Sequence, residues 1–209
     1  DVRDSIEKVD FADTIQPVSL AFWFSWCENL TEVTNLWKLD TSAAVSMESM
    51  FEGCSALTSL NLRYMDTSQV ENMYGVFSDC SSLTEIDMSA FDTSAVQTME
   101  AMFGGCSSVR TIYVSERFVL SDGLEGDMMF DGCTALRGEN GTAYDSGQTD
   151  SAYARLDKPP AEPGYFTYRE PPAPGELEAS PTPTPTPAET PLPEFHPAAG
   201  PNAQPEPVI

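Results

Sequence analysis

Five cysteines recur at an almost constant interval along this chain, and this period constrains the fold more strongly than any other feature. Neighbouring cysteines are 27, 26, 26 and 27 residues apart and stand at Cys27, Cys54, Cys80, Cys106 and Cys133. A fixed period of this length is typical of proteins in which similar units stack on one another. The thiols therefore mark one structural position that is used five times, rather than a catalytic set.

The residues around the cysteines repeat with them. No gap is needed to align the segments MFEGCSALTSLNL, VFSDCSSLTEIDM, MFGGCSSVRTIYV and MFDGCTALRG. Equivalent residues of stacked units point toward the same interior, so we expect buried free thiols rather than disulfides. A zinc site is not expected, because the chain has no CxxC pair and its only histidine, His196, lies in the tail. No metal and no cofactor is predicted.

Each repeat predicts one short strand and one short helix. Apolar residues alternate after the cysteine, as in Leu57–Leu62 and again in Ile86–Met88, and alternation indicates a strand with one buried face. Met73, Val76 and Phe77 then follow helical spacing, as do the equivalent residues of the other copies. We interpret these methionines as core residues rather than as ligands of a soft metal.

The tripeptide Asp-Thr-Ser precedes each stripe of apolar residues with helical spacing. It begins at Asp40, Asp66 and Asp92. Its side-chain oxygens predict helix N-caps, and Ser68 with Glu71 matches a capping box. A column of aspartates would alternatively bind calcium, although the spacing lacks the dense oxygen ligands of a dedicated loop. At the other end of the stripe, Gly or Asp before the cysteine suits a left-handed backbone.

The repeats divide the chain into four parts. Residues 1–30, with their cluster of aromatic side chains, predict an N-terminal cap, and residues 31–135 form the repeat array. Residues 136–168 have no repeat partner and predict a C-terminal cap. From 169 to 209 the chain is rich in proline and threonine, which is typical of an extended, disordered linker.

Charge and residue chemistry exclude several classes of function. The chain has 33 acidic and 10 basic side chains, a net charge of -23, so it offers no basic patch for nucleic acid or an anionic membrane face. No stretch approaches the run of about 18 apolar residues that spans a bilayer. An enzyme is not expected, because no imidazole accompanies the cysteines and the repeated aspartates have a capping role.

The repeated unit, here FSDCSSLTEIDMSAFDTSAVQTMEAM, resembles the bacterial surface protein repeat of the BspA-like leucine-rich-repeat family. The segments before and after the repeats are also similar to that family. They are FADTIQPVSLAFWFSWCENLT before the repeats, and GTAYDS, YARLD and PGYFTY after them. The resemblance implies an α/β repeat fold, a leucine-rich-repeat-like right-handed solenoid with one short parallel strand and one short helix per repeat. It also implies a secreted or cell-surface bacterial protein that contacts host proteins, matrix or other microbes.

The exposed strand positions are the candidate partner-binding residues, because they would form a regular grid on a rigid sheet. They are Ser59, Asn61, Arg63, Glu85, Asp87, Ser89, Thr111, Tyr113 and Ser115. Tyr113 is the expected anchor, since tyrosine is enriched at interface hot spots. The alternative is a merely solvated sheet face.

Two functional classes follow from this sequence. One is a monomeric adhesion module that binds host or microbial extracellular proteins or glycans, and the other is a structural spacer or presentation domain within a larger surface protein. The proline- and threonine-rich segment supports the adhesion module, since it would hold the repeats away from an envelope.

Overall fold

The structure is a computed structural model, and it describes residues 2–158 and 160–173. Most of the predicted linker, residues 174–209, therefore lies outside the described residues. The strands are β1 (Lys8–Asp10), β2 (Glu32–Thr34), β3 (Glu85–Met88), β4 (Thr111–Val114) and β5 (Phe166–Tyr168). Short 3-10 helices span Val2–Ser5, Leu36–Lys38 and Ser151–Tyr153, and the described residues contain no α-helix.

The strands pair in parallel between successive copies of the repeat. β1 pairs with β2, whereas β3, β4 and β5 form a second sheet in that order. Ile86 of β3 lies opposite Ile112 of β4, one period further along the chain, and Ile112 lies opposite Phe166 of β5. Isolated parallel bridges join other parts of the copies at the same period, from Ser46 to Asn72 and from Asn72 to Thr98. Successive copies thus run side by side in the same direction.

The strand predicted within Leu57–Leu62 does not form a ladder. Residues 58–62 belong to no assigned strand, although Leu57 and Leu62 are buried as the alternation predicts. The preceding copy carries one additional residue and turns at Asn35, whose backbone is left-handed with a φ of 55°. It continues as the 3-10 helix Leu36–Lys38, so the backbone of that copy departs from the other copies just after β2.

The short helices predicted from the apolar stripe are replaced by turns. Met47 donates its backbone N–H to Asn72 O at 2.9 Å, and Phe51 donates to Val76 O at 2.9 Å, so alternate amides bond to the next copy. An α-helix would use those same N–H groups within its own segment. The burial prediction is nevertheless confirmed, because Met47 and Phe51 are fully buried. The spacing of these apolar residues predicted correctly which side chains are buried, but it did not predict the backbone conformation.

Two left-handed positions recur in each copy, and the first explains why no α-helix forms. The first position, inside the apolar stripe, has φ between 50° and 62° at Phe22, Ser49, Gly75, Ala101 and Met128. The second has φ between 57° and 73° at Trp26, Gly53, Asp79, Gly105 and Gly132, which confirms the left-handed backbone predicted for the Gly and Asp positions before the cysteines. A right-handed helix tolerates a left-handed residue at its end but not in its interior, where residues need negative φ.

Columns of identical side chains fill the core. Phe24, Phe51, Phe77, Phe103 and Phe130 form one stack, with ring centroids 5.2 to 6.0 Å apart. All five cysteines are buried and free, as predicted. Cys80 Sγ donates to Phe51 O at 3.1 Å, and Cys106 Sγ donates to Phe77 O at 3.0 Å, so these two thiols satisfy carbonyls of the preceding copy. Burial raises the pKa of Cys54 and of Cys133 to about 12.

The Asp-Thr-Ser tripeptide links copies rather than capping helices. Asp92 Oδ1 accepts from the N–H of Ser94 at 3.0 Å, which closes a local turn. Thr67 Oγ1 donates to Asp92 O at 2.8 Å and accepts from the Asp92 N–H at 2.9 Å. The predicted capping box of Ser68 and Glu71 was wrong, because it requires a helix that is not formed. The buried threonine, which joins one copy to the next, is the structural residue of this tripeptide.

Aromatic side chains are concentrated in the first copy, within the predicted N-terminal cap. Phe24 is buried in the core, whereas Phe22 is 51% exposed and Trp26 is 45% exposed. A Cβ added to Gly53 would lie 2.7 Å from Trp26 Cε3, so the indole packs directly on this glycine. Only some of the aromatic side chains of residues 1–30 therefore face the core.

The segment 136–168 folds around a buried carboxylate and adds the last strand to the sheet. Asp157, 1% exposed, accepts hydrogen bonds from the N–H groups of Asn140 at 2.9 Å and Thr142 at 3.0 Å. Burial by itself raises the pKa of Asp157, but hydrogen bonds from Thr142, Gly164 and Asn140 outweigh it and hold the pKa below its usual value. This polar core positions β5 beside β4.

Candidate functional site

The strand face of β3 and β4 places polar side chains in parallel rows. Strand alternation buries Ile86 and Met88 in β3, and Ile112 and Val114 in β4. The intervening residues point outward. Because the pairing is in register, Asp87 lies opposite Tyr113.

Two of the nine predicted binding residues are not available at this surface. Ser89 and Ser115 are both 4% exposed, so the prediction that they extend the exposed grid was wrong. The alternation stops because each serine lies one residue beyond the end of its strand. The Ser89 N–H donates to Asp87 Oδ1 at 3.0 Å, and Ser115 O accepts from the Phe118 N–H at 3.2 Å, so the chain turns at both positions.

The first predicted row does not belong to the ladder. Ser59 and Asn61 are exposed and Arg63 is half-buried, but all three lie in the segment without an assigned strand. Asn61 Oδ1 accepts from the Arg63 N–H at 3.4 Å, and the Arg63 guanidinium lies 5.7 Å from the ring centroid of Tyr64. The strand grid therefore reduces to Glu85, Asp87, Thr111 and Tyr113.

Arg169 covers the centre of this grid, and no sequence pattern predicts this contact. Its guanidinium carbon lies 3.3 Å from the ring centroid of Tyr113, in a stacked cation–π contact. Its Nη1 donates to Asp87 Oδ2 at 2.6 Å. The Arg169 N–H also bonds to Val114 O at 2.9 Å, which extends the β4–β5 pairing by one residue. The predicted boundary between cap and linker at 168/169 thus falls within an ordered contact.

Asp87 is held as an anion. Partial burial raises the pKa of this carboxyl, but hydrogen bonds from Ser89 and from the Arg169 guanidinium outweigh the burial and lower the pKa below its usual value. The Asp87 side chain is 31% exposed and that of Arg169 is 39% exposed, so both remain reachable from solvent.

A groove of about 890 Å³ lies beside this contact. Its lining includes the 60–63 segment, Glu85 and Asp87 of β3, and Arg117. Arg169 and the residues that follow it, 170–173, also line it. The lining is predominantly polar, which suits a polar peptide or glycan better than an apolar ligand.

The described part of the chain brings together no group of three or more His, Cys, Asp or Glu side chains that would hold a metal ion. His196 lies outside the described residues. Among the helices of residues 2–158 and 160–173, none has the length and apolar character to cross a membrane. The strand face presents the aromatic ring of Tyr113 beside the carboxylate of Asp87.

Comparison with known proteins gives one match. No curated protein and no solved structure matches the chain. Residues 18–143 match a protein family, and they include all five cysteines and more than half of the 209 residues. The chain therefore belongs to the family described as Mycoplasma protein of unknown function, DUF285.

Proposed function

We propose that this chain is a non-catalytic interaction domain of a bacterial cell-surface or secreted protein. In this proposal it is a BspA-like, leucine-rich-repeat-like right-handed solenoid whose strand face binds host or microbial extracellular proteins or glycans. Support for the solenoid comes from parallel pairing at the repeat period and from the stacked phenylalanines. The helical part of each predicted repeat is replaced by turns.

The row formed by Asp87 and Tyr113 carries the binding proposal. It lies on paired strands of a sheet, next to a polar groove large enough for several residues of a ligand. Tyrosine combines a large contact area with few rotatable bonds, so it anchors interfaces at low entropic cost.

A structural spacer without its own ligand is the second candidate. It is favoured by the contact of Arg169 with both Asp87 and Tyr113, because an internal residue already satisfies these two side chains. A spacer would use the same contact only to fix the C-terminal cap on the sheet.

A binding screen with matched variants distinguishes the two functions. The full chain is tested on an array of extracellular-matrix proteins, mucin and glycans, beside a strand-face variant with Glu85, Asp87, Thr111 and Tyr113 replaced by alanine. The control variant carries alanine at four residues outside the strand face that are also exposed, Gln69, Glu71, Gln97 and Glu125.

Adhesion through the strand face predicts binding by the full chain and the control, and loss in the strand-face variant. Equal binding by all three proteins would refute the strand face as the binding surface. The absence of binding by the full chain would favour the spacer. Thermal unfolding of each variant verifies that the loss is not caused by misfolding.

A further inference from the structure

Asp87 and Tyr113 together have the chemistry of a guanidinium receptor. The carboxylate accepts from Nη1 at 2.6 Å while the ring lies under the guanidinium plane at 3.3 Å. A planar guanidinium stacks on an aromatic face and hydrogen-bonds at its edge at the same time, which a lysine ammonium does not. The two side chains are adjacent in register, so the strand pairing itself sets the spacing of this receptor.

We propose that Asp87 and Tyr113 form an arginine-binding site, that Arg169 occupies it as an internal pseudo-ligand, and that the partner is a protein segment whose arginine displaces Arg169. This inference rests on the proposed function, because it specifies the partner of the same surface. It assigns Arg169 as a competitor of the ligand rather than as part of the binding surface.

The geometry around Arg169 allows its side chain to leave while its backbone stays. The Arg169 N–H is bonded to Val114 O at 2.9 Å, independently of the side chain. Its side chain is 39% exposed, and its contacts in the structure are with the ring of Tyr113 and the carboxylate of Asp87. Displacement therefore breaks contacts that the incoming arginine restores, and it leaves β5 in place.

The groove and the charge of the chain favour a basic peptide over other partners. The groove is lined by Arg169 and by the 60–63 segment, so residues flanking an inserted arginine have a place to lie. Its lining carries the carboxylates of Glu85, Asp87 and Glu170 and the guanidiniums of Arg63, Arg117 and Arg169, so negative charge is in excess once the Arg169 side chain leaves. With a net charge of -23, the whole chain also attracts a cationic segment at long range.

An internal competitor lowers the apparent affinity by the fraction of time for which the site is free. If Arg169 occupies the site about nine-tenths of the time, removing its guanidinium strengthens the binding of an external arginine about 10-fold. The same substitution would weaken binding if Arg169 were itself part of the interface.

The test uses N-acetyl-arginine amide as the probe and N-acetyl-citrulline amide, which is uncharged and of similar shape, as its control. Binding to the full chain is followed by NMR at the ring protons of Tyr113 and the amide of Asp87. The variant Arg169→Gln retains the length of the side chain and the backbone hydrogen bond. Arg110→Gln removes the guanidinium of an exposed arginine that does not line the groove, and it serves as the matched control.

The expected result is about 10-fold tighter binding of the arginine probe by Arg169→Gln than by the unmodified chain or by Arg110→Gln. Adding Asp87→Asn to Arg169→Gln should abolish this gain. Equal affinities in all proteins, equal shifts with citrulline, or shifts outside the Tyr113 and Asp87 signals would overturn the proposal.

A second measurement does not depend on the folding of a variant. In the unmodified chain, adding the arginine probe at high concentration should shift the Arg169 Nε–H signal toward that of a free arginine. An unchanged signal while Tyr113 shifts would refute displacement. The partner screen has its own outcome: a strand-face partner without an essential arginine would support the proposed function and contradict only the arginine site.

Discussion

Replacing Gly105 by alanine tests whether successive copies stack as the structure describes. Gly105 has a φ of +72°, and an added Cβ would lie 2.1 Å from Asp79 Oδ1 and 3.2 Å from Asp79 Cα. Gly132 offers a matched control, because its φ is +73° but its added Cβ would have no neighbour closer than the 3.4 Å contacts with the Gly105 backbone. The two substitutions therefore share the backbone penalty and differ in the contact with the preceding copy.

The magnitudes follow from these contacts. A left-handed alanine costs about 1–2 kcal/mol, partly offset by the lower entropy of the unfolded chain, which leaves a net loss of about 1 kcal/mol for Gly132→Ala. Overpacking against Asp79 adds about 1–3 kcal/mol, so we expect Gly105→Ala to lower the free energy of unfolding by about 2–4 kcal/mol. Urea denaturation monitored by circular dichroism measures both values.

A double-mutant cycle identifies the cause of the difference. Asp79→Gly removes the side chain that the new Cβ meets, so Gly105→Ala should cost about 1 kcal/mol in that background. Equal losses for Gly105→Ala and Gly132→Ala, or no coupling between residues 79 and 105, would refute the close approach of these two copies.

Two further predictions concern buried ionisable groups. The five thiols should not react with a disulfide reagent such as DTNB in the native protein and should react fully in denaturant. Burial suppresses the thiolate and raises the pKa of Cys54 and Cys133 to about 12. A rapid reaction of the native protein would contradict this prediction. The folded state lowers the pKa of Asp157, so this carboxylate contributes stability above its unfolded pKa of about 3.9, and that contribution is lost as the pH falls through the folded value. Asp157→Asn should therefore flatten the acid limb of the stability profile measured by urea denaturation, and an unchanged limb would contradict it.

Much of the buried interior was predictable from the repeat alone. The period placed each cysteine in an equivalent position, and the thiols at Cys80 and Cys106 are indeed buried and free. Alternation identified Ile86 and Ile112 as inward-facing strand residues, and both are buried. Such patterns are readable because burial of an apolar side chain depends mainly on local spacing once the direction of the chain is set.

The backbone conformation of the apolar stripe was not predictable from its spacing. Met47 and Phe51 fit a helical face, but the same spacing also fits turns whose amides bond to the neighbouring copy. Ser49 and Ala101 have a left-handed backbone, which is compatible with turns and not with the interior of an α-helix. Neither residue type signals positive φ. The equivalent Gly75 is the one member of these three copies that hints at it.

The sequence by itself determined the period, the buried columns and the residues that face outward on β3 and β4, because each copy repeats the same local pattern. Only the tertiary structure decided what covers that outward face. Arg169 lies 82 residues from Asp87 in sequence, and no local pattern specifies a contact over that distance. The contact with Asp87 arises because the buried Asp157 positions β5 against β4. Arg169 follows β5 directly, and its guanidinium then lies on the ring of Tyr113.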